Sequence, residues 1–229
     1  MKLLVGTSGW LYSWNKDSSL KWYKENSGLN AVELNASFYR FPFPNQIKGW
    51  SKFDLLWSIK VNKLITHIHM LNESAIASFK RFISLFEPLE EKIAYYLFQF
   101  PPRFSTSNID KLKEFLNTFD NRKFALEFRN KTWYEFDFSK LDFNGVIVTP
   151  DSPEIHNKIF IKNEQIYIRF HGRSSWYAYN YKEREIREVI ENSIKLKPKV
   201  IAAFFNNDHD MLGNARLFFK IAKSIVQLD

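Results

Sequence analysis

Three apolar runs in this chain stop on two polar residues spaced i, i+2: Glu33 and Asn35, Glu127 and Arg129, Arg169 and His171. Side chains two apart on a strand share a face, so each pair is aimed together. The types suit chemistry. Glu127 can act as general acid or base, and His171 can shuttle a proton because its ordinary titration lies near neutrality. Arg129 and Arg169, joined by Lys60, can hold a phosphate or carboxylate. Glu33 completes the catalytic set as an orienting carboxylate. Other apolar runs add Gln99, Asp151, Asn206, Asn207 and Asp208, polar groups able to bind a sugar, base or amide. The dull reading is a set of structural ion pairs, Glu33 or Glu127 with Arg129 or Arg169, since a buried charge needs a partner.

Alternation and β-branched or aromatic content predict strands at Lys2–Gly6, Ala31–Asn35, Leu56–Lys60, Ala94–Gln99, Phe124–Phe128, Gly145–Thr149, Gln165–His171 and Val200–Phe205, the elements that carry these residues. Apolar residues at helical spacing predict helices at Ser74–Phe86, Asn108–Phe119, Glu183–Ile194 and Leu212–Val226. Strands alternating with helices over 229 residues indicate an α/β fold, a single (β/α)8 TIM-type barrel near the lower size limit. A hairpin at Ile159–Arg169, turning at Asn163-Glu164, elaborates it before the seventh strand. An open doubly wound sheet is the competitor, but Gly6-Thr7-Ser8-Gly9-Trp10 is not its glycine-rich fingerprint. No linker divides residues 1–229, so one domain is expected.

In a barrel one strand face fills the interior and the other packs on helices. Val32, Leu34, Phe124, Leu126, Ile166 and Ile168 then face helices. The polar strand ends gather at the carboxyl-terminal mouth, where barrel active sites form. Among loop aromatics, Trp10 and Trp133 read as structural. Trp176 and Tyr177, beside Gly172, read as ligand contacts.

Composition sets the bounds. No cysteine is present, which excludes disulfides, thiolate nucleophiles and cysteine-based metal sites. No apolar segment approaches a membrane span, and a soluble, cytoplasmic protein is expected. His67 and His69 at i, i+2 are a weak metal motif, so no metal ligand is assigned. A divalent metal stays open but unfavoured, and no organic cofactor motif is visible. The net charge of +8 and pI near 9.4 permit attraction to phosphates. They allow nucleic acid as a partner beside a small polar or anionic substrate, with oligomeric state open.

The segments Gly6-Thr7-Ser8-Gly9-Trp10-Leu11-Tyr12, Val32-Glu33-Leu34-Asn35-Ala36-Ser37-Phe38-Tyr39, Lys63-Leu64-Ile65-Thr66-His67, Leu97-Phe98-Gln99-Phe100-Pro101-Pro102-Arg103-Phe104, Ala125-Leu126-Glu127-Phe128-Arg129-Asn130-Lys131-Thr132-Trp133, Tyr167-Ile168-Arg169-Phe170-His171-Gly172 and Phe205-Asn206-Asn207-Asp208 resemble the domain-of-unknown-function 72 family, the YecE-like proteins. The resemblance runs along nearly the whole chain. It implies a TIM-type barrel and no settled activity. The residues themselves suggest an acid–base enzyme of hydrolase or isomerase/lyase type acting on an anionic substrate. The alternative is a non-catalytic module gripping nucleic acid through its basic surface.

Overall fold

A computed structural model describes residues 1–156 and 158–225. The strands are β1 (Lys2–Thr7), β2 (Ala31–Leu34), β3 (Leu56–Lys60), β4 (Ile93–Gln99), β5 (Phe124–Glu127), β6 (Val146–Asp151), β7 (Gln165–Phe170) and β8 (Val200–Phe205). The α-helices are α1 (Leu20–Asn26), α2 (Pro44–Trp50), α3 (Glu73–Leu85), α4 (Ile109–Asn117), α5 (Glu183–Lys195) and α6 (Met211–Ile225). The strands follow the order β1-β8-β7-β6-β5-β4-β3-β2 in one eight-stranded sheet, the strand order of a (β/α)8 barrel.

All eight expected strands are present, with ends displaced by a residue or two. β2, β5 and β7 stop one residue early, at Leu34, Glu127 and Phe170. The four expected helices are α3 to α6, and Val226 lies outside the described residues. Two short helices escaped the sequence reading. α1 is capped by the Ser19 hydroxyl, which accepts from the Trp22 N–H. α2 starts with Pro44 at its first turn, and the Gln46 side chain accepts from the Phe43 N–H. The expected hairpin is reduced to one antiparallel bridge, Lys162 with Gln165, closed by Asn163 and Glu164 at φ 51° and 58°. Positive φ at both positions is what a two-residue hairpin turn demands.

The chain forms two compact units. The first contains residues 1–33, 53–57 and those from Ile147 onward; the second contains 34–52 and 58–146. In the first unit β8 lies between β1 and β7, and Thr7 and Phe170 both register with Phe205. The ladder continues one residue further, with Ser8 N–H bonded to Phe205 O, Asn206 N–H to Phe170 O and His171 N–H to Asp151 O, each 2.8 Å. This brings Ser8, His171 and Asn206 to one level.

β1 has no ladder with β2. The Asn30 side chain bonds β1 instead, accepting from Val5 N–H at 2.9 Å and donating to Leu3 O at 2.8 Å. Gly6 permits this approach, because a Cβ there would lie 2.4 Å from Ala31 O.

The second unit holds two aromatic clusters. Phe79 of α3 meets Tyr96, Phe98, Phe115, Phe119 and Phe124, so Phe124 does face helices. Trp133, Phe104 and Phe128 stack with centroids 4.1–6.5 Å apart, and the Trp133 indole donates to Phe104 O. Such pairs add about 0.5–1.5 kcal/mol each beyond burial.

Candidate functional site

The residues singled out in the sequence fall into separate groups, each within one unit. In the first unit, Glu33 and Arg169 are both fully buried and pair in bidentate fashion, Nη2 to Oε1 at 2.6 Å and Nε to Oε2 at 3.0 Å. The Ser8 hydroxyl donates to Oε1 at 2.6 Å and the Tyr167 hydroxyl to Oε2 at 2.7 Å. Four donors surround this carboxylate, two on each oxygen. Both oxygens of Glu33 are thus engaged by neighbouring side chains. Tyr167 and Arg169 reach the same carboxylate because they are two apart on β7, as the i, i+2 reading requires.

His171 follows β7 and is fully buried. Its Nδ1 lies 3.2 Å from the Asn206 side-chain nitrogen. Either nitrogen can be the donor in that contact, depending on the tautomer of the ring. The ring meets Trp176 at 5.4 Å and Tyr177 edge-on at 5.7 Å. A tight turn makes this possible. Gly172 has φ 104°, a Cβ there would lie 2.3 Å from Ser175 O, and the Tyr177 N–H returns to His171 O at 2.7 Å.

Asp151 is held within the scaffold. It pairs with Arg173 at 3.0 Å and accepts from the Tyr181 hydroxyl at 2.6 Å. Burial pushes its carboxyl above the ordinary value, against the pull of Arg173 and Tyr181. Burial, reinforced by Asp151, likewise pushes the Tyr181 hydroxyl up. Asn207 is also buried, its side-chain nitrogen bonded to Tyr179 O and Asn214 Oδ1. Asp208 is half-buried at φ 50°, opening the turn before α6.

In the second unit, Glu127 ends β5 fully buried and pairs with Arg129 at 2.7 Å. Gln99 lies beside it in register on β4. Lys60, at the end of β3, places Nζ 4.4 Å from the centroid of the Phe38 ring. His67 meets the same ring edge-on at 5.0 Å from a π-helical turn, Leu64–Ile68.

Trp10 and Trp133 are buried, as their structural reading expects. Ser8, Arg103, Arg173 and Tyr181 carry interactions that the strand-end pattern does not single out. Ser8 was findable, since it stands two residues beyond Gly6 on β1. Arg173 and Tyr181 lie in loops with no periodicity to place them. Among the described residues no three His, Asp or Glu side chains form a metal-binding group. No helix among them is long and apolar enough to cross a membrane.

Residues 4–225 match the model of a family described as "Protein of unknown function DUF72". The chain belongs to the DUF72 family. A DUF72 protein of Enterococcus faecalis superposes with a TM-score of 0.82 at 23% identity, over 99% of this chain and 97% of that one. A DUF72 protein of Thermotoga maritima gives 0.81 at 26% identity, over 97% and 100%. A D-psicose 3-epimerase from Clostridium cellulolyticum, solved with D-tagatose, gives 0.57 at 13% identity, over 98% and 99%, and shares the barrel fold. No curated protein matches significantly.

Proposed function

We propose that this DUF72 protein is an enzyme that works by acid–base chemistry on a polar, anionic substrate, with His171 carrying the proton. The observation that supports this reading is His171 itself. It follows a barrel strand at the carboxyl end, Asn206 lies 3.2 Å from Nδ1, and two aromatic rings flank it. A purely structural histidine needs no such aromatic loop folded back on it. The Glu33–Arg169 pair acts as a positioning group, holding β7 in place below His171. Because His171 is fully buried, substrate reaches it when the Arg173–Tyr177 loop moves. Tyr177, at φ 64°, is the strained residue of that loop. The anionic preference rests on the net charge of +8. Glu127, beside Arg129, is the second acid–base candidate. The reaction class is hydrolysis or isomerisation/lysis, and the shared fold with a sugar epimerase assigns none of these residues a role.

The test is a turnover screen over phosphorylated sugars, free sugars and nucleotides, followed by His171→Asn on whatever is turned over. We expect a loss of about 10²–10⁴-fold in kcat with native near-UV circular dichroism. Asn206→Ala should shift the pH profile as well as the rate. Full activity in His171→Asn would sink the assignment. The net charge also supports the competing reading, a nucleic-acid-binding module. Binding to mixed-sequence DNA or RNA that weakens steeply with salt, without turnover of any compound, would favour that reading.

A further inference from the structure

We infer that Lys60, Arg103 and His67 form a binding site for a phosphoryl group, and that His67 takes up a proton as the group binds. The inference is independent of the His171 reading, because it concerns a different cluster, lies wholly in the second unit and is read without turnover.

Three elements supply the site. β3 ends on Lys60, whose ammonium lies over the Phe38 ring. The loop after β4 carries Arg103, which donates from Nη2 to the His67 carbonyl. The π-helical turn presents His67, half-buried, with Nδ1 2.8 Å from the Thr66 hydroxyl and its ring edge-on to Phe38. One aromatic ring thus packs against both an ammonium and an imidazole.

The electrostatics agree. Burial, then the positive charges of Lys60 and Arg103, hold His67 down to about 4 from its ordinary 6.5. Among the described residues the charged groups that shift it are those two cations, and the Thr66 hydroxyl and the Phe38 ring also contact it. The ring is neutral at neutral pH, held so first by burial and then by the positive potential of the two cations. A dianion placed there reverses the argument. It neutralises the two cations and favours imidazolium, so the proton affinity of His67 rises on binding. Lys60 supplies a compact charge, Arg103 a planar fork, and protonated His67 a further charged donor, a set suited to the several oxygens of a phosphoryl group. Linkage gives the sign: binding tightens as pH falls from neutrality and levels off below about 4, where the free ring is already protonated.

The experiment follows the His67 ring by NMR in the full chain, titrating pH with no added oxyanion, with sulfate, with inorganic phosphate, and with acetate at matched ionic strength. Sulfate keeps a constant charge over the range and isolates His67 from the titration of the ligand. We expect sulfate and phosphate to move the His67 midpoint up from about 4 toward 6.5, and acetate to leave it in place. Lys60→Gln and Arg103→Gln should each raise the midpoint in the free protein and weaken sulfate binding about tenfold. An unmoved midpoint at high sulfate would overturn the inference. Equal movement by acetate would overturn it too, since that is charge screening alone.

Discussion

Each unit carries a carboxylate–guanidinium pair at a strand end, and the two are built differently. Glu33 and Arg169 are 136 residues apart in sequence, and two further hydroxyls close around the carboxylate. Glu127 and Arg129 are neighbours two apart on one strand end, with the Arg129 side chain 12% exposed. The first pair can form only after distant segments meet. The second costs almost no chain entropy, because β5 delivers both partners together. A long-range buried pair therefore joins distant segments, whereas a local one gives a strand-end carboxylate its partner without fixing the global structure. This difference suits Glu33 to a positioning role and leaves Glu127 as the carboxylate to test for chemistry.

The largest effect should come from breaking the long-range pair. Glu33→Ala is expected to cost about 3–5 kcal/mol in urea unfolding, because it strands Arg169 inside the protein. Adding Arg169→Met should recover part of that loss, and a double variant no better than the single would show that the pair does not carry the cost. Glu127→Gln should cost less, about 1–3 kcal/mol, since Arg129 keeps some access to solvent. Equal costs at the two sites would erase the distinction.

The Asp151 group provides a pH-dependent check. A carboxyl raised in the native state contributes stability that is fully present below its unfolded value of 3.8 and is lost as pH rises through the higher native value. Arg173→Met removes the guanidinium that opposes this shift, so the loss should extend to higher pH in that variant, seen as urea midpoints across a pH series. The smallest effect belongs to the exposed Arg122–Asp120 pair, which draws Asp120 down to about 2. Arg122→Ala should leave the unfolding midpoint where it was, because solvent screens that pair.

Much of this could be read in the sequence because a strand has a short, strict period. Glu127 and Arg129 pair at the end of β5, Tyr167 and Arg169 meet the same carboxylate, and Glu33–Arg169 is one of the ion pairings expected by the dull reading. His171 and Asn35 each lie one residue beyond a strand end, where the period no longer fixes the face. α1 and α2 are only seven residues long, too short for helical periodicity to rise above their aromatic and lysine content. Their start signals, Ser19 and Pro44, were legible. The Asp151–Arg173–Tyr181 network was not, because Gly172 sends the chain into a turn whose partners no spacing rule predicts. His67 illustrates the same limit. Its neighbours Lys60 and Arg103 come from the end of β3 and from the loop after β4, so the sequence shows only a histidine near another histidine.

The pairing of β1 with β8 also sets a timetable. Thr7 leaves the ribosome long before Val200, and at 5–20 residues per second the interval is roughly 10–40 s. Through that interval Leu3, Leu4 and Val5 have no β8 to receive them. The aromatic clusters between Phe79 and Phe138 are already synthesised by then and can begin to condense. An apolar strand that waits so long for its neighbour is an open edge, the kind of surface on which nascent chains stick to one another. Closing the seam is thus a late event in the life of this barrel, and its yield during synthesis should depend on translation speed and chaperone supply more than on the stability of the finished sheet.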